Sequence, residues 1–567
     1  AEPVASVPRG AVVTSSVPRE LSAPGPGVVL APRECHAEDA AAEGQACDIA
    51  EVVLKLDSGE SLILRGVSRP VLPGPVAVGA TLGHLPAGAH VVVIRALPQA
   101  PANAADIPDF VDPRLAEAWR ALIGDPAAWL GAPPAPDPAD PREVATRRRA
   151  VQSSAQEKYY EDPMELERGW RHHLIDTGGR AYVDLVNNVA GLGHSHPAVT
   201  AAASRQLSLL NTNSRFLYRS LGEYAARLAD LAPEGLDTVL FVNSGSEAVD
   251  LALKLARAAS GRASVGALRE AYHGWTLGAD AVTTRAYDSP HALEALPAWV
   301  RVLPVPNPVR GAFIGPGADA KYASDAAATV RGWAKDGDPA GAFICESVLG
   351  NAGGVLLPAG YLAAVYEAVR EGGGVCIADE VQVGFGRMGE SFWGFELQGV
   401  VPDIITIAKP MGNGFPIGAV ITRREIGEAL GAEGMFFSSA GGSPLSCAVG
   451  MAVLDAMEAE GLQENARVVG ARLKAGLQGL VDRHPLAAMV HGTGLYLGLE
   501  LIRDTSGREP AVAETAAICE RLRELGVVVQ PTSERQNVLK IKPPLCLSAE
   551  AADFAVEQID RVLTEGW

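Results

Sequence analysis

Apolar residues along this chain fall into two textures. Up to about residue 150 they come as short runs, AEVVLKLDSG, ESLILRGV and HVVVIRAL, set apart by Gly and Pro. That is the pattern of strands in a small β-rich domain, placed at residues 1–132. From about residue 151, apolar runs without polar alternation take turns with segments at helical spacing. VVPDIITIA, TVLFV and VCIA are apolar and rich in β-branched residues, as expected of strands buried on both faces of a parallel sheet. In LDTVLFVNSGSEAVDLALKLARAAS the strand runs into the turn NSGS. From Glu247 onward Val249, Ala252, Leu253 and Ala256 then recur at helical spacing. Strands alternating with helices predict an α/β fold with βαβ units around a mostly parallel sheet. Between the textures lies GAPPAPDPADPREVATRRRA, a Pro/Ala-rich tract that reads as a linker over residues 133–157. Its TRRRA run reads as solvated.

Composition narrows the classes of function. A chain of 567 residues, 48% hydrophobic, is long enough for two or more cored domains. A formal net charge of −19 disfavours nucleic acid and anionic membrane as partners, since phosphate surfaces attract basic patches. No run approaches the ~20 uninterrupted apolar residues of a spanning helix, and no basic-then-apolar leader opens the chain. Residue 1 is Ala, which leaves the true start open. The seven cysteines are scattered without a CxxC pair, so reduced thiols and a cytoplasmic location are expected, with no zinc site.

Three stretches carry chemistry. In IAKPMGNGFPIG, Lys409 follows an apolar strand and precedes a proline and two glycines. This places it at the carboxyl edge of the sheet, where ligands bind in open α/β folds, with Gly412 and Gly414 expected to make room for a ligand. Asp379 ends the strand VCIA thirty residues earlier, a separation that suits one crossover between parallel neighbours. In NSGSE, Gly245 and Ser246 lie in a glycine turn leading into a helix, where free backbone N–H groups and the helix dipole favour a phosphate. Tyr272, in LREAYHGWT, offers an aromatic face for stacking on a planar ring. Taken singly, each has a plainer reading: a lysine reaching solvent, an Asp–Lys salt bridge, a serine N-cap, a core tyrosine. Together they ask for one ligand with a phosphate, a flat ring and an electrophilic carbon. Pyridoxal 5′-phosphate (PLP) has all three.

At this point the chain from about residue 158 to 567 resembles the class III aminotransferases of PLP fold type I. The motifs are LVNNVAGLGHSHPAV, NTNSRFLYRSLGEYAARLA, NSGSEAVDLALKLAR, YHGW, ADEVQVGFGRMG, PDIITIAKPMGNGFPIGAV and GGSPLSCAVGMAVL. The resemblance implies a large cofactor-binding part at about 205–440 and a small α+β part from 158–204 and 441–567. It casts Lys409 as the Schiff-base lysine, Asp379 as partner of the pyridine nitrogen, Gln382 as donor to the phenolic oxygen and Tyr272 as the stacking ring. Gly245, Ser246, His273 and Glu346 complete the expected cofactor pocket. Ser439, in SSAGGSP, matches a position that reaches the phosphate from a neighbouring subunit, which implies at least a homodimer. To act, the freed lysine must be neutral, a state favoured by desolvation and a nearby cation.

Within the family, LNTNSRFL, ESVLGNAGG, KPMGNG and NVLKIKPPLC are similar to the subgroup of alanine–glyoxylate aminotransferase-like enzymes and phospholyases of phosphoethanolamine and phosphohydroxylysine. The implied activity is transfer of an amino group between an amine or amino acid and a keto acid or aldehyde. Elimination of phosphate from a phosphorylated amine is the alternative. A non-catalytic scaffold is a third reading, opposed by the intact Lys409 and Asp379. Lys540 stands where many carboxylate-binding members carry arginine, and it suits a phosphate as a point charge. Arg215 is a second candidate anion contact, and Trp275 resembles the transaminase side of the subgroup. The first 132 residues weakly resemble a lysostaphin-type zinc peptidase domain. Val92 replaces one of its two histidines beside His90, so no metal and no peptidase activity are expected there.

Overall fold

The computed structural model describes the strand segments between residues 11 and 124, and residues 141–567 apart from 157, 288–290 and 505–507. It divides into two compact units, Ala1–Val183 and Asp184–Trp567. That boundary falls after the expected domain start at 158. In the first unit an antiparallel sheet is centred on Ile49–Leu56, Ser61–Ser68 and His90–Ala96. Val53 faces Ile63, which faces Ile94. Val52, Leu54, Leu62 and Leu64 are buried together with Val53 and Ile63, so Ile49–Leu56 and Ser61–Ser68 are covered on both faces there. His90 opens its strand opposite Thr14, but its side chain, with that of Val92, lies outside the described residues. The tract expected to be linker holds an 11-residue helix, Pro141–Val151. Proline at its start, Glu143 in its first turn and Arg148 and Arg149 in its last match the helix dipole. A three-stranded meander, Leu166–Trp170, His173–Asp176 and Ala181–Asp184, follows.

The second unit is organised by seven strands: β1 Thr238–Val242, β2 Val265–Leu268, β3 Val300–Leu303, β4 Ala342–Glu346, β5 Val375–Asp379, β6 Ile404–Ile407 and β7 Gly418–Thr422. Their order is β1-β7-β6-β5-β4-β2-β3. Only β7 runs antiparallel to its neighbours. Side chains alternate between two cores. Phe343, Cys345 and Cys376 join one cluster, while Ile344 and Ile377 join the other across the sheet. Apolar residues at consecutive strand positions are what a doubly covered parallel sheet requires. A smaller antiparallel sheet, Ala487–Thr493, Tyr496–Asp504, Val538–Ile541 and Gln530–Thr532 in that order, packs with the helices Leu462–Arg483 and Val512–Glu524, against which the helix Ala549–Glu565 packs in turn. Among the described residues no helix is long and apolar enough to cross a membrane.

Candidate active site

Three adjacent strands end on charged chemistry. Glu346 closes β4 and stands opposite Asp379, which closes β5 and stands opposite Thr406 of β6. Two residues past β6, Lys409 begins the short helical turn Lys409–Gly412. The apolar strands anchor the backbone, so each polar side chain emerges at the same carboxyl edge. Asn413 ends the turn in the left-handed region and is clamped on both sides of its amide. Its Oδ1 accepts from Leu192 N at 2.9 Å and its Nδ2 donates to Gly193 O at 2.9 Å. The two glycines divide their roles differently from expectation. A Cβ on Gly412 would come within 2.7 Å of Ile417 Cγ2, so its missing side chain makes room for protein, whereas Gly414, at φ +91°, lines the cavity.

The phosphate end is built at the start of α1, Gly245–Ser260. The helix starts at Gly245, two residues before the expected Glu247. Ser244 is the N-cap and accepts from Glu247 N at 3.2 Å. This leaves the first-turn N–H groups of Gly245 and Ser246 without intrahelical acceptors. Ser246 Oγ accepts from Trp275 N at 2.9 Å, so its own proton is free to donate. A Cβ on Gly245 would lie 2.9 Å from Val381 Cγ1, which explains the glycine by close packing.

Asp379 is held on three sides. His273 Nδ1 lies 2.7 Å from its Oδ2, while Val381 N and Thr406 Oγ1 donate to Oδ1 at 3.1 and 3.3 Å. His273 therefore grips the carboxylate. Glu346 accepts from Tyr272 N at 3.2 Å and from Gly350 N at 3.1 Å. Gln382 Oε1 accepts from Asn188 Nδ2, Tyr496 Oη and Lys542 Nζ at 3.1, 3.2 and 3.0 Å. With the oxygen so occupied, the Gln382 NH₂ is left to donate.

Lys409, Asp379, Glu346, Gln382, Tyr272, His273, Gly245 and Ser246 all line one cavity of about 280 Å³. Burial lowers the pKa of Lys409, opposed by the Asp379 and Glu346 carboxylates. Desolvation is the largest influence lowering it, and a second lysine, Lys542, lies close enough to interact with it electrostatically. Burial also raises Glu346, with His273 pulling it down and Asp379 pushing it up. Glu380, one residue beyond Asp379 and fully buried, is pushed up to about 7 by desolvation despite bonds from Ser347 and the Gly394 and Phe395 amides.

Four expected residues stand apart from this cavity's wall. Trp275 is 68% exposed. Arg215 is exposed and stacks on Phe437 with its guanidinium 3.5 Å from the ring centre. Ser439 is exposed. Lys540 Nζ donates to Asn351 Oδ1 at 3.0 Å. Conversely, Asn188, Tyr496 and Lys542 support the wall and were missed. For Lys542 a signal existed: it sits two residues after Lys540, the spacing that puts strand side chains on one face.

The donor set fits PLP. Free helix N–H groups suit its phosphate, Asp379 its ring nitrogen, the Gln382 amide its phenolic oxygen and the Lys409 amine its aldehyde. Fold and cavity define a PLP-dependent enzyme of fold type I. The chain belongs to the class III aminotransferase family, whose pattern it matches over residues 155–563, and PLP is its cofactor. It is 42% identical to the alanine–glyoxylate aminotransferase 2-like protein of Drosophila melanogaster, over 72% of this chain and 84% of that one. A solved phospholyase from Arthrobacter, in complex with phosphoethanolamine, is similar at 35% identity and TM-score 0.70, covering 74% of this chain and 99% of that one. A PLP-bound amine transaminase from an uncultivated Pseudomonas species is 30% identical at TM-score 0.67, covering 74% and 98%. The chain is a PLP-dependent transaminase by family.

Proposed function

We propose that this enzyme moves an amino group between an amine or amino acid and a keto acid or aldehyde, with Lys409 as the residue that carries the cofactor. The observation that supports this is a desolvated lysine facing buried Asp379 and Glu346 in one cavity with the start of α1. PLP bound there supplies a sink for the electron pair left when a bond at the amine-bearing carbon breaks. Gly245 and Ser246 hold its phosphate. Asp379, gripped by His273, keeps a proton on the ring nitrogen. Lys409 would hold the cofactor's aldehyde carbon and, being desolvated, would shed its charge more readily than an exposed lysine and move the proton at the amine-bearing carbon.

The same reading includes a homodimer. Ser439 lies on an exposed stretch beside Phe436 and Phe437, and Phe216 and Leu217 are exposed along the same apolar groove. A second copy covering this surface would bring Ser439 toward a neighbouring phosphate site.

Elimination is the second reading, supported by the similarity to the Arthrobacter phospholyase and by lysine at position 540. The test supplies PLP-loaded enzyme with amines and phosphorylated amines, recording released phosphate and dependence on a keto acceptor. Acceptor-dependent amine consumption without phosphate is expected. Phosphate released without any acceptor would replace transamination by elimination.

A further inference from the structure

Lys542 is a lysine where a lysine is unfavourable. It is 8% exposed, and its Nζ lies 3.0 Å from Gln382 Oε1 in the wall behind the cavity. Its backbone N–H donates to Leu185 O, fixing the root of the side chain. The charged groups facing it are Lys540 from the strand just before it, Lys409 from the turn after β6 and Arg387 from the loop after β5. All three are cationic. An apolar side chain of the same length would avoid both the desolvation and the repulsion.

Nor is Lys542 needed to satisfy Gln382. An amide oxygen offers two lone pairs, and Asn188 and the fully buried Tyr496 already supply two neutral donors. Those two suffice to turn the amide so that its NH₂ faces the cavity. The third donor differs from them in its capacity for charge. A cation on the carbonyl side of an amide polarises it and strengthens the hydrogen bonds its N–H groups give.

We propose that Lys542 is a positioning residue that acts through Gln382, strengthening the hydrogen bond from the Gln382 amide to the cofactor's phenolic oxygen and so holding that oxygen anionic. This rests on the reading of the cavity as a PLP site with Gln382 as the phenolic-oxygen donor. Burial and the three cations hold the pKa of Lys542 well below the ordinary lysine range. An anionic oxygen on the far side of Gln382 is the counter-charge that returns the proton to it.

The test is a pH titration of the visible absorbance of the PLP-loaded enzyme without substrate, a readout separate from turnover. Removing the charge weakens the stabilisation of the anionic oxygen, so the midpoint rises. Lys542→Met is expected to raise it by about one pH unit. Lys542→Gln keeps a donor without charge and is expected to move it the same way, so it carries the test if Lys542→Met does not fold. Lys542→Arg is expected to restore a near-wild-type midpoint, and Tyr496→Phe, which removes a neutral donor, to move it much less. In a Gln382→Leu background the effect of Lys542→Gln should shrink. A wild-type band whose midpoint is unmoved by Lys542→Gln, or moved equally by Tyr496→Phe, overturns this inference alone. A wild-type chain that forms no visible band with PLP overturns the site reading beneath it as well.

Discussion

At the floor of the cavity Glu346, Asp379 and Lys409 leave three adjacent strands whose residues are buried along their whole length, and both carboxylates are held by hydrogen bonds. Around it, Arg215, Trp275 and Ser439 sit on loops and are exposed. The contrast separates two kinds of functional residue. A strand end in a closed core has one place to go, so its side chain is positioned by the fold. A loop residue is positioned by whatever later covers it. Glu346, Asp379 and Lys409 are of the first kind, and Arg215, Trp275 and Ser439 of the second.

The sharpest way to break this division is at the floor. Lys409→Ala removes the amine that holds the cofactor and moves the proton, and turnover should fall at least about 10⁴-fold. Single-turnover assays with an amine donor, read by the visible absorbance of the bound cofactor, check this. Turnover within tenfold of wild type would move the covalent role elsewhere and leave the floor as mere packing.

What was legible in the sequence follows the same line. The unbroken apolar runs announced doubly covered strands, and because a run must stop somewhere, the charged residue at its end was announced with it. That reasoning placed Asp379 and Lys409 correctly at the sheet's carboxyl edge. It misjudged two local details, since Gly412 yields space to Ile417 and the N-cap duty falls to Ser244, and it missed the contacts made where distant segments meet. The grip on Gln382 joins Asn188, Tyr496 and Lys542 across more than 100 residues of sequence in each case, and local periodicity carries no information about such meetings. The helix Pro141–Val151 was hidden by the proline-rich tract that leads into it. Pro141 is tolerated because it stands at the first position, where its missing N–H would have had no acceptor.

A smaller effect tests whether the floor is strained by its own charges. Glu380 sits fully buried behind Asp379 with its pKa pushed up to about 7, against an unfolded value near 4.5. The folded state therefore holds this proton where the unfolded state has lost it. Stability contributed by the protonated form is complete below the unfolded pKa and is lost as pH rises through about 7. Over that window the loss is about 3 kcal/mol. Denaturant titrations at pH 5 and pH 8 should show the wild type losing more stability on going to pH 8 than Glu380→Gln does. Because the glutamine also gives up acceptors for Gly394 and Phe395, the comparison is of the two slopes with pH and not of absolute stabilities. Parallel slopes would mean that the donors from Ser347 and the two amides keep the carboxylate ionised in spite of burial.

The smallest effect is expected at the exposed edge, and there the comparison is sharpened most. In the single chain Trp275 is 68% exposed, and its link to the site is the backbone N–H that Ser246 Oγ accepts. Any residue supplies that N–H. Trp275→Ala should leave stability within about 0.5 kcal/mol and cofactor affinity unchanged. If equilibrium dialysis instead showed PLP affinity falling tenfold or more, Trp275 would have to be buried against something the isolated chain does not contain. The proposed second copy is the direct candidate, because Leu277 two residues on and the Phe436–Phe437 pair are exposed apolar surface as well. Repeating the measurement across the concentration at which the protein changes mass by sedimentation separates the two cases. An effect that appears only in the larger species places Trp275 in a shared site, and an effect present at all concentrations places it in the wall of its own cavity.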